Sequence, residues 1–176
     1  FDAIELWEPH LLRHGDEIKR YLSETQAIPI GALSAYSDVT SSSVSTEVWK
    51  QQLEHKLAQC KQLNIPVLRL FTGSLSSNDA NEWDWIRFIE RLRLAQELAE
   101  VYDREIVFET HPNTLLDSKE PVERFLSFIE LHQWDRIGLN FDAYHVWEFG
   151  VDPAEGLTEW HPYIKHVHLK SAVRKT

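Results

Sequence analysis

Three apolar runs in this chain end on side chains able to do metal or proton chemistry. Glu109 closes the run that opens IVFETHPNT, residues 106–114. Asp142 closes IGLNFD, and His145 follows three positions on, in DAYH. His168 lies in HVHL, two positions after His166, so the two imidazoles share one face of a strand. A carboxylate at the end of a buried run is costly to desolvate unless something pairs with it. Two carboxylates and an imidazole suit one divalent ion, Mn²⁺, Mg²⁺, Co²⁺ or Zn²⁺. Three protein ligands leave positions open for water or substrate oxygens. Each residue also has a plainer reading. Glu109 alone is a strand-end carboxylate capped by backbone amides, and His166 alone is a hydrogen-bonded core histidine. His10, His14, His55, His132 and His161 fall in loops or helices as solvated or structural groups. Arg69, inside VLRLF, either pairs with a carboxylate of the sheet or faces substrate. Trp7, Trp147, Phe149 and Trp160 read as core before substrate platform. The coincidence of three run ends, and no single residue, favours the metal.

For these groups to meet, the chain must bring distant run ends together. Strand-like runs occupy residues 3–7, 29–33, 67–71, 106–109, 137–142 and 166–169. Helical periodicity covers residues 46–63, 79–102 and 118–131, and Asp152-Pro153 opens another short helix. Such alternation predicts an α/β fold with a parallel sheet. A doubly wound open sheet and a (β/α)₈ barrel both satisfy it. No G-x-G-x-x-G follows the first run, which weakens a dinucleotide-binding reading. In a barrel the C-terminal strand ends surround one opening, where Glu109, Asp142 and His168 would converge. A full barrel has eight strands in about 250 residues. Six runs in 176 residues have the same density with two units absent. The expectation is one domain over residues 1–176: an incomplete (β/α)₈ TIM barrel of about six βα units, its first and last strands missing. The absence of methionine and an opening on FDAIELW add the expectation of a missing N-terminal segment. Residues 41–45, SSSVS, read as a polar loop.

Bulk properties exclude several partners. A net charge of -10, with nine histidines counted neutral, repels polyanions, so nucleic acid and anionic membrane are not expected partners. No apolar run approaches the roughly 20 residues of a membrane span. Cys60 is the one cysteine and has no partner for an internal disulfide. Without a recognisable signal peptide, the cytoplasm is the expected compartment.

The segments GALSAYSD, VLRLFTG, IVFETHPNTLLDS, GLNFDAYHVW and IKHVHLK resemble, in order and over nearly the whole chain, the sugar isomerase/epimerase superfamily. Its members look like xylose isomerase and are close to sugar-phosphate isomerases. The E-T-H-P-N-T, D-x-x-H and H-V-H-L-K segments are fairly specific for the superfamily and weak on substrate. The resemblance implies a TIM barrel with one divalent metal held by Glu109, Asp142 and His168. Glu109 would also move the proton. His145 would bind a substrate hydroxyl or lie beside the metal, and Arg174 would contact substrate. His111 and Asn113 would sit at the pocket rim, with Arg69 and Trp7 as further substrate-binding candidates. There are departures: Ser171 stands where relatives commonly place aspartate, and the family's fourth ligand, a glutamate on the last strand, would lie beyond Thr176.

The implied activity is metal-dependent isomerisation or epimerisation of a sugar or sugar phosphate. It proceeds by proton abstraction next to a carbonyl, through an enediolate. A corollary is that this chain alone is weak or inactive as a catalyst. The alternatives are a dehydratase of the same fold, inosose- or dehydroshikimate-type, an endonuclease IV-like phosphodiesterase, and a non-catalytic degenerate barrel. Open strand edges invite pairing with another chain, which points to a homo-oligomer.

Overall fold

The computed structural model describes residues 1–24 and 26–170. Strands and helices alternate as β1 (Ile4–Trp7), α1 (Glu8–Leu22), β2 (Ile30–Ala35), α2 (Thr46–Gln62), β3 (Val67–Leu70), α3 (Glu82–Tyr102), β4 (Glu105–Glu109) and α4 (Lys119–His132). They continue as β5 (Ile137–Asp142), α5 (Ala143–Glu148), α6 (Pro153–Trp160) and β6 (Ile164–His168), the last entered through a 3₁₀ turn at His161–Tyr163. The strands form one parallel sheet in the order β1-β2-β3-β4-β5-β6.

The sheet is curled. Glu5 on β1 reaches His166 and His168 on β6, with Oε2–Nε2 distances of 3.1 and 2.9 Å. In a flat sheet five strand spacings of about 4.8 Å would hold the edge strands roughly 24 Å apart, beyond any side-chain contact. The fold is therefore a curled half-barrel of the TIM type, and the doubly wound alternative falls.

Alternation along the strands sorts side chains between two faces. Leu33, Leu68, Leu70, Ile106, Phe108, Leu139 and Phe141 face outward and share a core with Trp49, Leu53, Leu57, Phe88, Leu92 and Phe125 of the helices. Inside the curl, Ala32, Val67 and Val107 make a small separate apolar cluster. Toward the C-terminal strand ends the interior becomes polar: Arg69, Glu109, Asn140 and Asp142 are all buried.

Several expected boundaries shift for local reasons. The helix expected over residues 79–102 begins at Glu82, because Asn81 and Asp84 form a capping box. The strand expected over 29–33 runs to Ala35, since Ser34 and Ala35 pair with Arg69 and Leu70. The strand expected over 166–169 is Ile164–His168, because Ile164 already pairs with Leu139. Leu169 leaves the ladder and is exposed. Ser118 stands at the cap of α4 without a side-chain cap bond, its hydroxyl lying against Ser77 instead. Helix α1, required by the alternation, buries Glu8 and Leu11 and packs the partly buried Ile18 and Leu22 of the same face against the core. The short α5 was not expected. It exists because Asp142 caps it, accepting from Tyr144 N and His145 N. Ser45 ends the supposed plain loop by capping α2. Cys60 is buried and free, and burial pushes its thiol up to about 12, so it stays protonated. Among the described residues no helix is long and apolar enough to cross a membrane.

Candidate metal centre and active site

Glu109 is the last residue of β4 and is 1% exposed. Its Oε2 pairs with the Arg69 guanidinium, accepts from Asn140 Nδ2 at 2.8 Å, and lies 3.2 Å from His168 Nδ1. Arg69 donates to Ser34 Oγ at 3.0 Å and stacks 3.7 Å from the Phe71 ring centroid. Asp142, at the end of β5, is wholly buried. Its Oδ1 is used in capping α5, at 3.1 and 3.2 Å. Its Oδ2 accepts no well-directed hydrogen bond among the described residues. That oxygen faces cations instead: Lys170 Nζ at 2.6 Å, His168 Nδ1 at 3.7 Å and His145 Nε2 at 3.8 Å.

Donor atoms of Glu109, Asp142 and His168 all lie within 4.8 Å of one another. Two buried carboxylates, one oxygen free of directed hydrogen bonds and an imidazole nitrogen fit a divalent cation. Register accounts for the convergence: Glu109 is level with Asn140 and Asp142 with His168, so the three ends lie within one two-residue step and on the same inner face.

The groups set one another's charge. Burial pushes Asp142 up, but the close approach of His168 and Lys170 and the charge of His145 outweigh it and hold the carboxyl below its usual range. Burial likewise pushes Glu109 up, and the His168 hydrogen bond and Arg69 charge bring it down. Burial pushes His168 down, yet bonds to Asp142, Glu109 and Glu5 raise it to about 11. At neutral pH the metal-free cluster is thus two carboxylates and an imidazolium. The sign follows: His168 stabilises the metal-free fold fully below its ordinary 6.5, and this is lost as pH rises through about 11. A metal needs the neutral ring, so uptake at pH 7 to 8 is expected to release about one proton and to tighten as pH rises. Calorimetry in buffers of different ionisation enthalpy measures that proton. A heat independent of buffer would remove His168 from the ligand set.

His145 and His111 form the rim. His145 Nδ1 bonds Glu148 Oε2 at 2.7 Å, and its Nε2 lies 3.0 Å from Lys170 Nζ. The His111 ring centroid is 4.5 Å from that of His145 and 4.7 Å from that of Phe71. Burial pushes the His111 imidazole down, leaving it neutral at pH 7. Beside it opens a cavity of about 370 Å³ lined by Tyr36, Asp38, Phe71, Gly73, His111 and Asn113. Gly73, at φ +100°, turns the chain after β3 where a side chain would be strained and would strike Thr40 Oγ1.

Of the expected site residues, the structure gathers Glu109, Asp142, His168, His145, His111 and Arg69. Arg69 pairs with Glu109, the first of the two readings given above. Trp7 is 44% exposed and packs edge-on against His10, 5.3 Å between centroids, where β1 gives way to α1. It is not one of the gathered group. Arg174 and Ser171 lie outside the described residues. Sequence reading missed Asn140, which strand alternation places on the same face as Asp142. It also missed Glu5, whose partners lie more than 160 residues away and left no local signal.

A family model described as a xylose isomerase-like TIM barrel matches residues 1–176. The chain belongs to that family. A 3-dehydroshikimate dehydratase of Bacillus anthracis is 27% identical over 184 residues, 97% of this chain and 62% of the relative. The chain thus spans about three-fifths of that relative's length. The crystal structure of a probable 3-DHS dehydratase from Bacillus anthracis superposes with a TM-score of 0.82 at 26% identity, over 96% of this chain and 62% of the other. A 3-keto-D-glucoside 4-epimerase of E. coli superposes at 0.76 with 16% identity, over 97% and 69%, and shares the fold alone. The expected superfamily and barrel type are thereby shown. The dehydratase likeness favours the alternative activity over isomerase or epimerase.

Proposed function

We propose that this xylose isomerase-like chain carries the site of a metal-dependent dehydratase for a small cyclic hydroxyketone, 3-dehydroshikimate being the first substrate to test. The observation that carries it is the buried Glu109–Asp142–His168 cluster, in a chain similar along 97% of its length to a dehydratase. Glu109, Asp142 and His168 would hold the ion, which when bound polarises a substrate carbonyl or hydroxyl oxygen. Loss of water then needs a base for a carbon-bound proton and a donor for the departing hydroxide. Glu109, held ionised by its cations, is a good ligand and a weakened base. His111, neutral and lining the cavity, lies within reach of Glu109 and is a second candidate proton acceptor. Lys170 and His145, 3.0 Å apart at the same rim, are the donors at hand. Arg69 and Asn140 hold the Glu109 carboxylate still.

An isomerase or epimerase shares the deprotonation but returns the proton instead of expelling water, so the product separates the classes. The chain is loaded with Mn²⁺ and given 3-dehydroshikimate, with Asp142→Asn as control. An aromatic dihydroxybenzoate formed only by the unaltered chain supports the dehydratase. Exchange of the substrate proton with solvent without loss of water would assign the isomerase class. Neither event, with metal bound, refutes catalysis on this substrate.

A further inference from the structure

His168 faces two ways. Its Nδ1 looks into the cluster, 3.2 Å from Glu109 Oε2 and 3.7 Å from Asp142 Oδ2. Its Nε2 lies 2.9 Å from Glu5 Oε2, across the interior of the curled sheet. The nitrogens of a neutral imidazole are not equivalent. The one whose N–H is engaged by an acceptor leaves the other's lone pair for a metal. We propose that Glu5 is a positioning residue for the metal centre: by accepting the Nε2 proton of His168 it holds the tautomer and ring orientation that present Nδ1 to Glu109 and Asp142. This rests on the metal-centre reading above and extends it to a residue no sequence motif marks.

The surroundings agree with this role. The same Glu5 oxygen lies 3.1 Å from His166 Nε2, so a second imidazole helps hold the carboxylate in place. Asn140 Nδ2 approaches His168 Nδ1 at only 3.3 Å while bonding Glu109 Oε2 at 2.8 Å, so the amide is committed mainly to the carboxylate. Glu5 enters from the first strand and His168 from the last. The orienting bond therefore exists only when the sheet is curled, and metal affinity is coupled to that curl. Glu5, His166 and His168 also lie within 4.8 Å of one another, so a separate cation site there is the rival reading.

The metal-free chain is titrated with Zn²⁺ alone by calorimetry, alongside Glu5→Ala, Glu5→Gln and His166→Gln. The expectation is 1:1 binding, weakened about 10- to 100-fold in Glu5→Ala. Glu5→Gln, which keeps a neutral acceptor, should recover part of the loss, and His166→Gln should lose less. Nitrogen-15 NMR of the zinc-loaded unaltered chain should show His168 protonated at Nε2 and coordinated at Nδ1. That measurement holds even if a variant fails to fold. Coordination through Nε2 overturns the proposal. So does unchanged affinity in Glu5→Ala, which leaves the metal centre standing. A second bound equivalent, lost in both Glu5→Ala and His166→Gln, would make Glu5 a ligand and overturn it as well. No binding by the unaltered chain overturns the metal centre and the proposal together.

Discussion

Asp142→Asn is expected to weaken divalent metal binding by more than 100-fold while leaving the fold intact. Partners that only orient a ligand cost about 10- to 100-fold when lost, and a direct charged ligand costs more. The substitution is nearly isosteric, and the two carboxylate oxygens do separate jobs. Oδ1 caps α5, accepting from Tyr144 N and His145 N. Asparagine caps helices as well as aspartate, so this bond survives. Oδ2 faces Lys170 and His168 with no directed hydrogen bond, and there the substitution removes the charge a cation needs. Lys170, with 45% of its side chain exposed, can turn to water, and His168 loses one charged partner but keeps Glu109 and Glu5, so metal-free stability should fall by about 1–3 kcal/mol. Calorimetric titration with Mn²⁺, paired with urea unfolding of the metal-free chains, reads both quantities. Retained affinity would exclude Asp142 from the site. Loss of affinity together with loss of the fold would show the residue to be structural.

The second large effect concerns a residue outside the metal cluster. Arg91→Met is expected to destabilise the chain by about 3 kcal/mol, because orphaned buried polar groups cost about 1–3 kcal/mol each and surrounding structure relaxes in part. Arg91 projects from α3 and is 1% exposed. Its guanidinium donates to the carbonyl oxygens of Asp38, Val39, Ser41 and Val44. Arg91 thus holds most of the loop after β2 from beneath, with Arg87 adding one bond to the Thr40 carbonyl at 3.1 Å, and no lysine reproduces its planar, multi-donor head. Asp38 of that loop lines the cavity beside His111. At 2–4 °C per kcal/mol for a domain of this size, the midpoint should fall by roughly 6–12 °C. Arg91→Lys should recover only part of it. Metal affinity should change less than tenfold, since none of the proposed ligands lies on α3 or this loop. A change in stability below 1 kcal/mol would mean the loop holds itself.

The parallel α/β order was legible because buried strands and amphipathic helices leave different periods, and those periods are local properties of the chain. Glu109, Asp142 and His168 were legible for a related reason: each is a polar residue where an apolar run stops, and parallel strands must all stop at the same end. The pairing of Arg69 with Glu109 was within reach as one of two readings, since a cation inside VLRLF has few ways to be buried. Asn140 was overlooked although the two-residue alternation of IGLNFD places it beside Asp142. The capping of α5 by Asp142 and the hold of Arg91 on the 38–44 loop could not be read, because backbone acceptors have no sequence identity. By itself, then, the sequence determined the order of elements and which strand ends carry buried polar side chains, through burial and period alone. Only the tertiary structure decided that the sheet curls rather than lies flat. That curvature is the sum of many small twists between neighbouring strands. It sets Glu5 of the first strand against His168 of the last, a contact that nothing local in either segment encodes.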